Sequence, residues 1–204
     1  LSDLYYVIAI DMPGRGRSDW MDDKIHYGYP LYQTIAGEVI AMTGAKQVDW
    51  IGTSMGGIIG MGIAAMANSP IRNLVLNDIG PFIPAAGRRE NGRLFGLDTR
   101  FATEEEGIAW VRQNRTAFGP FTGAEWQQFG RDSLRQISDT EWGLDYDPGL
   151  AETRASGDYN AWDQWEAIKG PVLSIWGRES LLLTAETVER MRTTGPKAQV
   201  HEVP

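Results

Sequence analysis

The chain has 204 residues, a length that suits one ordinary domain or one domain with a sizeable insertion. Its hydrophobic fraction of 42% excludes a disordered chain, and its net charge of −8 argues against a nucleic-acid partner because no basic surplus exists to neutralise phosphates. No apolar run approaches the roughly 18 residues of a membrane span, and the lack of cysteine excludes disulfides, thiolate catalysis and cysteine-based zinc sites.

The first half of the chain alternates apolar strands with helical patterns. In chain order, the sequence predicts a strand at Tyr6–Ile10 that is buried on both faces, a helix at Leu31–Met42 stopped by Gly44, a strand at Val48–Gly52, a helix at Met55–Met66 and a strand at Ile71–Asn77. Strands and helices that alternate at this spacing predict a parallel sheet with crossover helices.

The pattern changes after Pro84. Residues 85–168 show no clear buried strand, but helical segments lie near 104–117, 122–135 and 160–168. The sheet pattern then resumes with a strand at Pro171–Gly177, a helix at Ala185–Met191 and a strand at Gln199–Val203. The predicted organisation is a core of residues 1–84 and 169–204 with a helical insertion over residues 85–168.

The strongest functional signal is the run from Gly52 to Gly57 (Gly-Thr-Ser-Met-Gly-Gly). It lies between a predicted strand and a predicted helix, which is the context of a G-x-S-x-G nucleophile elbow. A serine on such a strained turn exposes its hydroxyl, while Gly52 and Gly56 let neighbouring backbone pass without Cβ clashes. Ser54 is therefore the predicted nucleophile, and the Met55 amide at the helix N-terminus is predicted to donate to an oxyanion. The alternative is a glycine-rich turn with a capping serine.

Other glycine patterns predict no cofactor site. The run from Gly60 to Ala65 fits G-x-G-x-x-A by letters, but it lies inside a predicted helix and indicates a close packing face. No Walker pattern is present, and two histidines without a cluster predict no metal site.

Several of these residues resemble the α/β-hydrolase family. The resemblance rests on the Asp-x-Pro-Gly-x-Gly-x-Ser pattern of residues 11–18, on the Ser54 turn, on Leu-Val-Leu-Asn-Asp-Ile-Gly-Pro at 74–81, and on Trp-Gly-Arg-Glu-Ser at 176–180 followed by Leu182 and Leu183. It covers essentially the whole chain and implies a mostly parallel sheet with a helical cap between the sixth and seventh strands. It also implies a bacterial serine esterase that needs no cofactor. The catalytic residues of such enzymes occur along the chain in the order Ser, acid, His, and the acid orients the His base.

The sequence departs from the family pattern at both ends. The family's catalytic histidine follows the last strand, about where Pro204 stands, whereas His201 lies within the predicted strand and His26 lies in an early loop. The family's first three strands and its oxyanion loop would precede Leu1. We therefore expect the N-terminal strands and the C-terminal histidine loop to lie outside this sequence.

The acid position departs as well. Where relatives read Gly-x-x-Ser-Asp-x-Leu, this chain has Leu181 in place of the aspartate. Asp78, at the end of the predicted strand 71–77, is the candidate substitute because some members of the fold place the acid there. Its alternative role is to brace the loop that leads into the cap. Glu179 is closer to the position of the usual acid, but the alternation of side chains along the chain places it on the opposite face.

The predicted function is hydrolysis of a small carboxylic ester or related acyl substrate through an acyl-enzyme on Ser54. Three alternatives stay open: hydrolysis of a carbon–carbon bond next to a ketone, a non-catalytic ligand-binding homologue favoured by Leu181, and an inactive fragment that aggregates through an exposed sheet edge. A cytoplasmic location is predicted, and the oligomeric state is not. The cap aromatics are predicted to form the cap core and in part an apolar acyl pocket: Phe95, Trp110, Phe118, Phe121 and Trp126.

Overall fold

A computed structural model describes residues 1–92, 96–153 and 155–204. The helices are α1 (Tyr29–Met42), α2 (Met55–Ala64), α3 (Ala85–Asn91), α4 (Glu104–Asn114), α5 (Gly123–Asp132), α6 (Trp162–Ala167) and α7 (Ala185–Thr193). The strands are β1 (Val48–Thr53), β2 (Ile71–Asn77), β3 (Phe82–Ile83), β4 (Arg100–Phe101), β5 (Leu134–Ser138), β6 (Glu141–Leu144), β7 (Tyr159–Asn160), β8 (Val172–Gly177) and β9 (Gln199–Val203). These elements form two compact units, one of residues 25–92 with 155–204 and one of residues 1–24 with 96–153.

The first unit contains a parallel sheet of four strands in the order β1-β2-β8-β9. Its inner strand β2 is apolar enough to be buried among its neighbours, with Leu74 and Leu76 almost inaccessible. Because all four strands run in the same direction, their carboxyl ends meet at one edge. The predicted parallel sheet with crossover helices is confirmed.

Helix α2 lies close against the sheet because its glycines present no side chain. A Cβ on Gly60 would lie 2.5 Å from the indole ring of Trp50 on β1. The same indole N–H donates a hydrogen bond of 2.9 Å to the carbonyl oxygen of Gly56 in the first turn of α2. The run from Gly60 to Ala65 is thus a packing face, as predicted, and the start of α2 is tied directly to β1.

The predicted strand at Tyr6–Ile10 is wrong for this structure. Residues 6–10 form no strand, and no described strand pairs with them. The side chain of Tyr6 is 92% exposed, and Val7 and Ile8 are exposed as well. An apolar run becomes a buried strand only where a neighbour accepts its backbone hydrogen bonds and covers its faces.

The second unit contains strands within residues 85–168, where the sequence predicts helices and no clear buried strand. Strands β4, β6 and β5 form an antiparallel sheet in that order, beside the predicted helices α4 and α5. Its core is an apolar cluster that joins helix and sheet, namely Phe101, Ile108, Val111, Leu134 and Leu144. Strand β5 was hidden because it is short and follows α5 directly, so its first residues read as the end of the predicted helix 122–135.

The cap aromatics of this unit contact one another. The ring centroids of Phe121 and Trp126 lie 5.0 Å apart, and those of Phe118 and Phe129 lie 5.2 Å apart. Phe95 lies outside the described residues. The cap boundaries 85–168 and the acyl pocket stay predictions, since residues 85–92 and 155–168 group with the parallel sheet and residues 96–153 with the chain start.

One buried hydroxyl in β8 leads to a stability prediction. Ser174 is fully buried, and its Oγ has no hydrogen-bond partner among the described residues. Because an unsatisfied buried polar group costs about 1–3 kcal/mol, we expect Ser174→Ala to raise the free energy of unfolding by about 1 kcal/mol. Urea denaturation measures it, with Ser133→Ala as the control expected to lose stability, because the Ser133 hydroxyl donates to the Phe129 carbonyl at 2.7 Å. A less stable Ser174→Ala variant would contradict the prediction.

Candidate active site

Ser54 occupies a sharp turn between β1 and α2. Its backbone has φ of 49° and ψ of −115°, a conformation that residues other than glycine rarely adopt. Its carbonyl oxygen accepts hydrogen bonds from the amides of Gly57 at 3.0 Å and Ile58 at 3.1 Å, so the helix begins immediately after it. The side chain is half-buried at the carboxyl edge of the sheet. The predicted strand–turn–helix context is confirmed.

The structure changes which glycines the turn requires. A Cβ on Gly52 would overlap the backbone of Gly56 and Gly57, so Gly52 is needed as predicted. At Gly56 the prediction is wrong, because a Cβ there would meet no atom within 4 Å. Gly57 is the second constrained position, since its Cβ would overlap the side chain of Ile79.

Met55 is the first residue of α2 and is half-buried beside the serine. The first amides of an α-helix have no acceptor within the helix and carry the positive end of its dipole. A negative oxygen that forms next to Ser54 would therefore meet favourable donors here. The assignment of the Met55 amide to that role stays a prediction.

Asp78 lies at the end of the neighbouring strand. The register pairs Thr53 with Asn77, and the Ser54 amide donates to the Asn77 carbonyl at 3.4 Å, so the two strand ends are adjacent. Asp78 also has a left-handed backbone, with φ of 53°. Its Oδ1 accepts a hydrogen bond from the Gly177 amide at 3.0 Å, and its Oδ2 accepts one from the Ser180 hydroxyl at 2.7 Å.

Ser180 is a site-edge residue that the sequence reasoning missed. Besides donating to Asp78, its Oγ accepts hydrogen bonds from the amides of Leu182 at 3.2 Å and Leu183 at 3.0 Å. A serine hydroxyl that bonds to amides two and three residues ahead is a common turn pattern, which could have indicated this role. Leu181 sits within the turn with its side chain 63% exposed, and Glu179 is exposed too.

The comparison with known proteins decides the family. The sequence pattern described as "Alpha/beta hydrolase family" matches residues 1–204. The chain belongs to the α/β-hydrolase family. The resemblance and the fold class predicted from the sequence are thereby confirmed.

Named relatives of this α/β-hydrolase are hydrolases. A 3-hydroxybutyrate-oligomer hydrolase from Cupriavidus necator is 41% identical over 98% of this chain and 72% of its own length. An esterase from Mycobacterium tuberculosis is 26% identical over 96% of this chain and 66% of its own length. The solved structure of a putative hydrolase from Rickettsia typhi matches with a TM-score of 0.86 and 28% identity, over 94% of this chain and 66% of that one. These similarities support an enzyme of the hydrolase class.

His201 of this α/β-hydrolase does not lie at the serine. His201 is in β9, and the register places it in one row with Thr53, Asn77 and Ile175. It is three strand spacings from Thr53, or about 14 Å at the usual separation between strands. This confirms the expectation of a strand histidine. His26 lies in the short turn Lys24–His26 ahead of α1 and is exposed.

The Tyr159 phenol keeps its proton at neutral pH. Tyr159 on β7 pairs with Ile83 on β3, a few residues after Asp78. Burial, together with the neighbouring Tyr29, raises the pKa of the Tyr159 phenol to about 12, against an opposing effect of the Arg88 charge. Tyr159 is therefore protonated at neutral pH and is unsuited to accept the serine proton. In the described ranges, no group of three or more His, Asp or Glu side chains could hold a metal ion.

No helix in the described parts of the chain has the length and apolar character that crossing a bilayer requires.

Proposed function

We propose that this protein is a serine hydrolase that cleaves small carboxylic esters through an acyl-enzyme on Ser54. The observation that carries the proposal is the backbone of Ser54, whose φ of 49° is kept in a turn that ends at a helix N-terminus. Such strain in a residue other than glycine is found mostly where function requires it. Membership of a hydrolase family and the similarity to named hydrolases support the same activity.

The proposed reaction has two steps. The Ser54 hydroxyl attacks the ester carbonyl while a base takes its proton, and the Met55 amide donates to the resulting oxyanion. The carbon–oxygen bond to the alcohol then breaks, the alcohol leaves with the proton, and water hydrolyses the acyl-serine. Enzymes with this turn use a histidine as the base. We propose neither His26 nor His201 for that role, since His201 lies three strands away and His26 lies in an exposed turn.

Short oligoesters of 3-hydroxybutyrate are the substrate class that we propose. The support is the 41% identity with a hydrolase named for 3-hydroxybutyrate oligomers. Such oligomers are linear esters of a small hydroxy acid, and each linkage presents the carbonyl that the proposed reaction needs. Hydrolysis of a carbon–carbon bond next to a ketone is the alternative chemistry, and product analysis on both substrate types separates the two.

Labelling with a fluorophosphonate tests the nucleophile. The protein, produced as its gene encodes it, is expected to gain the mass of one adduct, because an activated serine attacks phosphorus. Ser54→Ala is expected to gain none. Ser138→Ala is the matched control, since Ser138 is an exposed residue on β5, and it should label like the wild type. Equal labelling of Ser54→Ala and wild type would refute Ser54 as the nucleophile.

A second candidate function is ligand binding without turnover. It is favoured by Leu181, an exposed apolar side chain where the family pattern has its aspartate, because leucine cannot accept a hydrogen bond from a histidine. This candidate predicts that calorimetry detects binding of a 3-hydroxybutyrate trimer while no fluorophosphonate adduct and no free acid form. An adduct that depends on Ser54 would exclude it.

A further inference from the structure

The carboxylate of Asp78 joins two loops at the carboxyl edge of the sheet. Asp78 follows β2, whereas its two hydrogen-bond donors are the Gly177 amide at the end of β8 and the Ser180 hydroxyl in the loop after β8. The Asp78 amide adds a third link, since it donates to the Ile175 carbonyl at 2.8 Å. Each carboxylate oxygen thus has a donor from the same neighbouring segment.

Ser180 connects Asp78 to the rest of the loop by hydrogen bonds. The hydroxyl that donates to Asp78 also accepts from the Leu182 and Leu183 amides, so one oxygen organises the turn around Leu181. Leu183 is fully buried and anchors the end of the turn in the core. Without the Asp78 carboxylate, the Ser180 hydroxyl would lose the acceptor that orients it.

The opposite side of this turn is packed against α3. A Cβ on Gly87 would overlap the carbonyl oxygen of Leu181, so the helix backbone lies directly against the turn. The loop is therefore held between Asp78 on one side and Gly87 on the other, while the side chains of Arg178, Glu179 and Leu181 are left exposed. Because Ser54 bonds to Asn77, the residue before Asp78, this loop and Ser54 lie at the same carboxyl edge of the sheet, with the end of β2 between them.

We propose that Asp78 is a positioning residue, which acts through Ser180 to fix the loop 177–183 beside Ser54. The inference rests on the proposed ester hydrolysis, because its effect is on the rate of that reaction. Asp78 does not act here on the histidine base. The carboxylate instead keeps the border of the substrate site in one conformation.

The backbone of Asp78 suggests which variants to use. Its φ of 53° is tolerated by aspartate and asparagine and is free of strain for glycine. Asp78→Gly therefore removes the carboxylate without forcing the backbone to move. Asp78→Asn keeps one carbonyl acceptor, which can receive the Ser180 hydroxyl, but it presents a donor and not an acceptor to the Gly177 amide. Lys197→Gly is the control for the glycine substitution, because Lys197 is exposed with φ of 54°.

The experiment measures kcat, KM and the pH profile of hydrolysis of a chromogenic butyrate ester. We expect Asp78→Gly and Ser180→Ala each to lower kcat by about 10- to 100-fold, the usual effect of a small displacement at a reacting site. The double variant should be no slower than the slower single variant, because both remove the same link. The kcat of Asp78→Asn should lie between those of Asp78→Gly and the wild type, because asparagine keeps one of the two acceptors. Lys197→Gly should match the wild type, and the midpoint of the pH profile should stay constant.

Three results would overturn the proposal. In the first, Asp78→Asn is as inactive as Asp78→Gly and the midpoint of its pH profile is shifted. That result would make Asp78 the acid that contacts the base. The second is Ser180→Ala with wild-type kcat. The third is unchanged hydrogen exchange of the Gly177, Leu182 and Leu183 amides in Asp78→Gly, a readout that needs no turnover. Absence of the Ser54 adduct in the wild type would contradict the proposed function instead, and amide exchange would then decide the loop restraint alone.

Discussion

Replacing Ser54 with alanine is expected to lower kcat for ester hydrolysis on the order of 10⁴- to 10⁶-fold, because the attacking oxygen is lost while the binding site stays in place. KM should change little, since the methyl group fits the space of the hydroxymethyl group. The measurement is the initial rate of acid release from a 3-hydroxybutyrate trimer and from a chromogenic butyrate ester.

The control for this loss is Ser138→Ala, which makes the same chemical change on an exposed strand of the other unit. It is expected to keep the wild-type rate. Circular dichroism of Ser54→Ala should match the wild type, because the alanine keeps the backbone of the turn. A Ser54→Ala rate within tenfold of the wild type would show that another group performs the attack.

The second large effect is expected at Gly52. Replacement with alanine places a Cβ into the backbone of Gly56 and Gly57, which cannot yield as a side-chain end could. We expect Gly52→Ala to lower the free energy of unfolding by about 3–5 kcal/mol, at the upper end of overpacking substitutions, and to abolish labelling of Ser54. Thermal and urea denaturation measure the first effect and intact mass the second.

Gly56 offers a matched control for that substitution. It carries the same change in the same turn, yet its Cβ would meet nothing within 4 Å. Gly56→Ala is therefore expected to stay within about 1 kcal/mol of the wild type, with helix propensity favouring the alanine. Equal damage from both substitutions would mean that the close contact at Gly52 does not explain the need for glycine.

The sequence predicted a strand correctly where an apolar segment also has a neighbouring strand to pair with. Strand Ile71–Asn77 contains an apolar run at residues 74–76, and the structure places this strand between two neighbours. Residues 6–10 have the same pattern without a partner strand in the described chain, and they stay unpaired. Periodicity reports the tendency of a segment to be buried, but pairing depends on residues distant in sequence.

In the candidate site, too, the sequence predicted local geometry but not the contacts between residues distant in the chain. The letters of the Ser54 motif, together with their place between a predicted strand and a predicted helix, were enough to predict a strained turn. They did not show that a Cβ added at Gly56 would meet no atom, whereas one added at Gly57 would overlap the Ile79 side chain. Ile79 follows a different strand, β2, so this contact is not visible in the motif itself. The link from Asp78 to Ser180 spans 102 positions and has no local signature.

The restraint on the turn around Leu181 has an evolutionary consequence. The hydrogen bonds that shape this turn come from Asp78 and the Ser180 hydroxyl, and none of them uses the side chain at position 181. Substitution at this position can therefore change the chemistry of the site border while leaving its architecture intact. A carboxylate introduced at position 181 by substitution would enter a preorganised turn, so the side chain there can change from apolar to charged without refolding the loop.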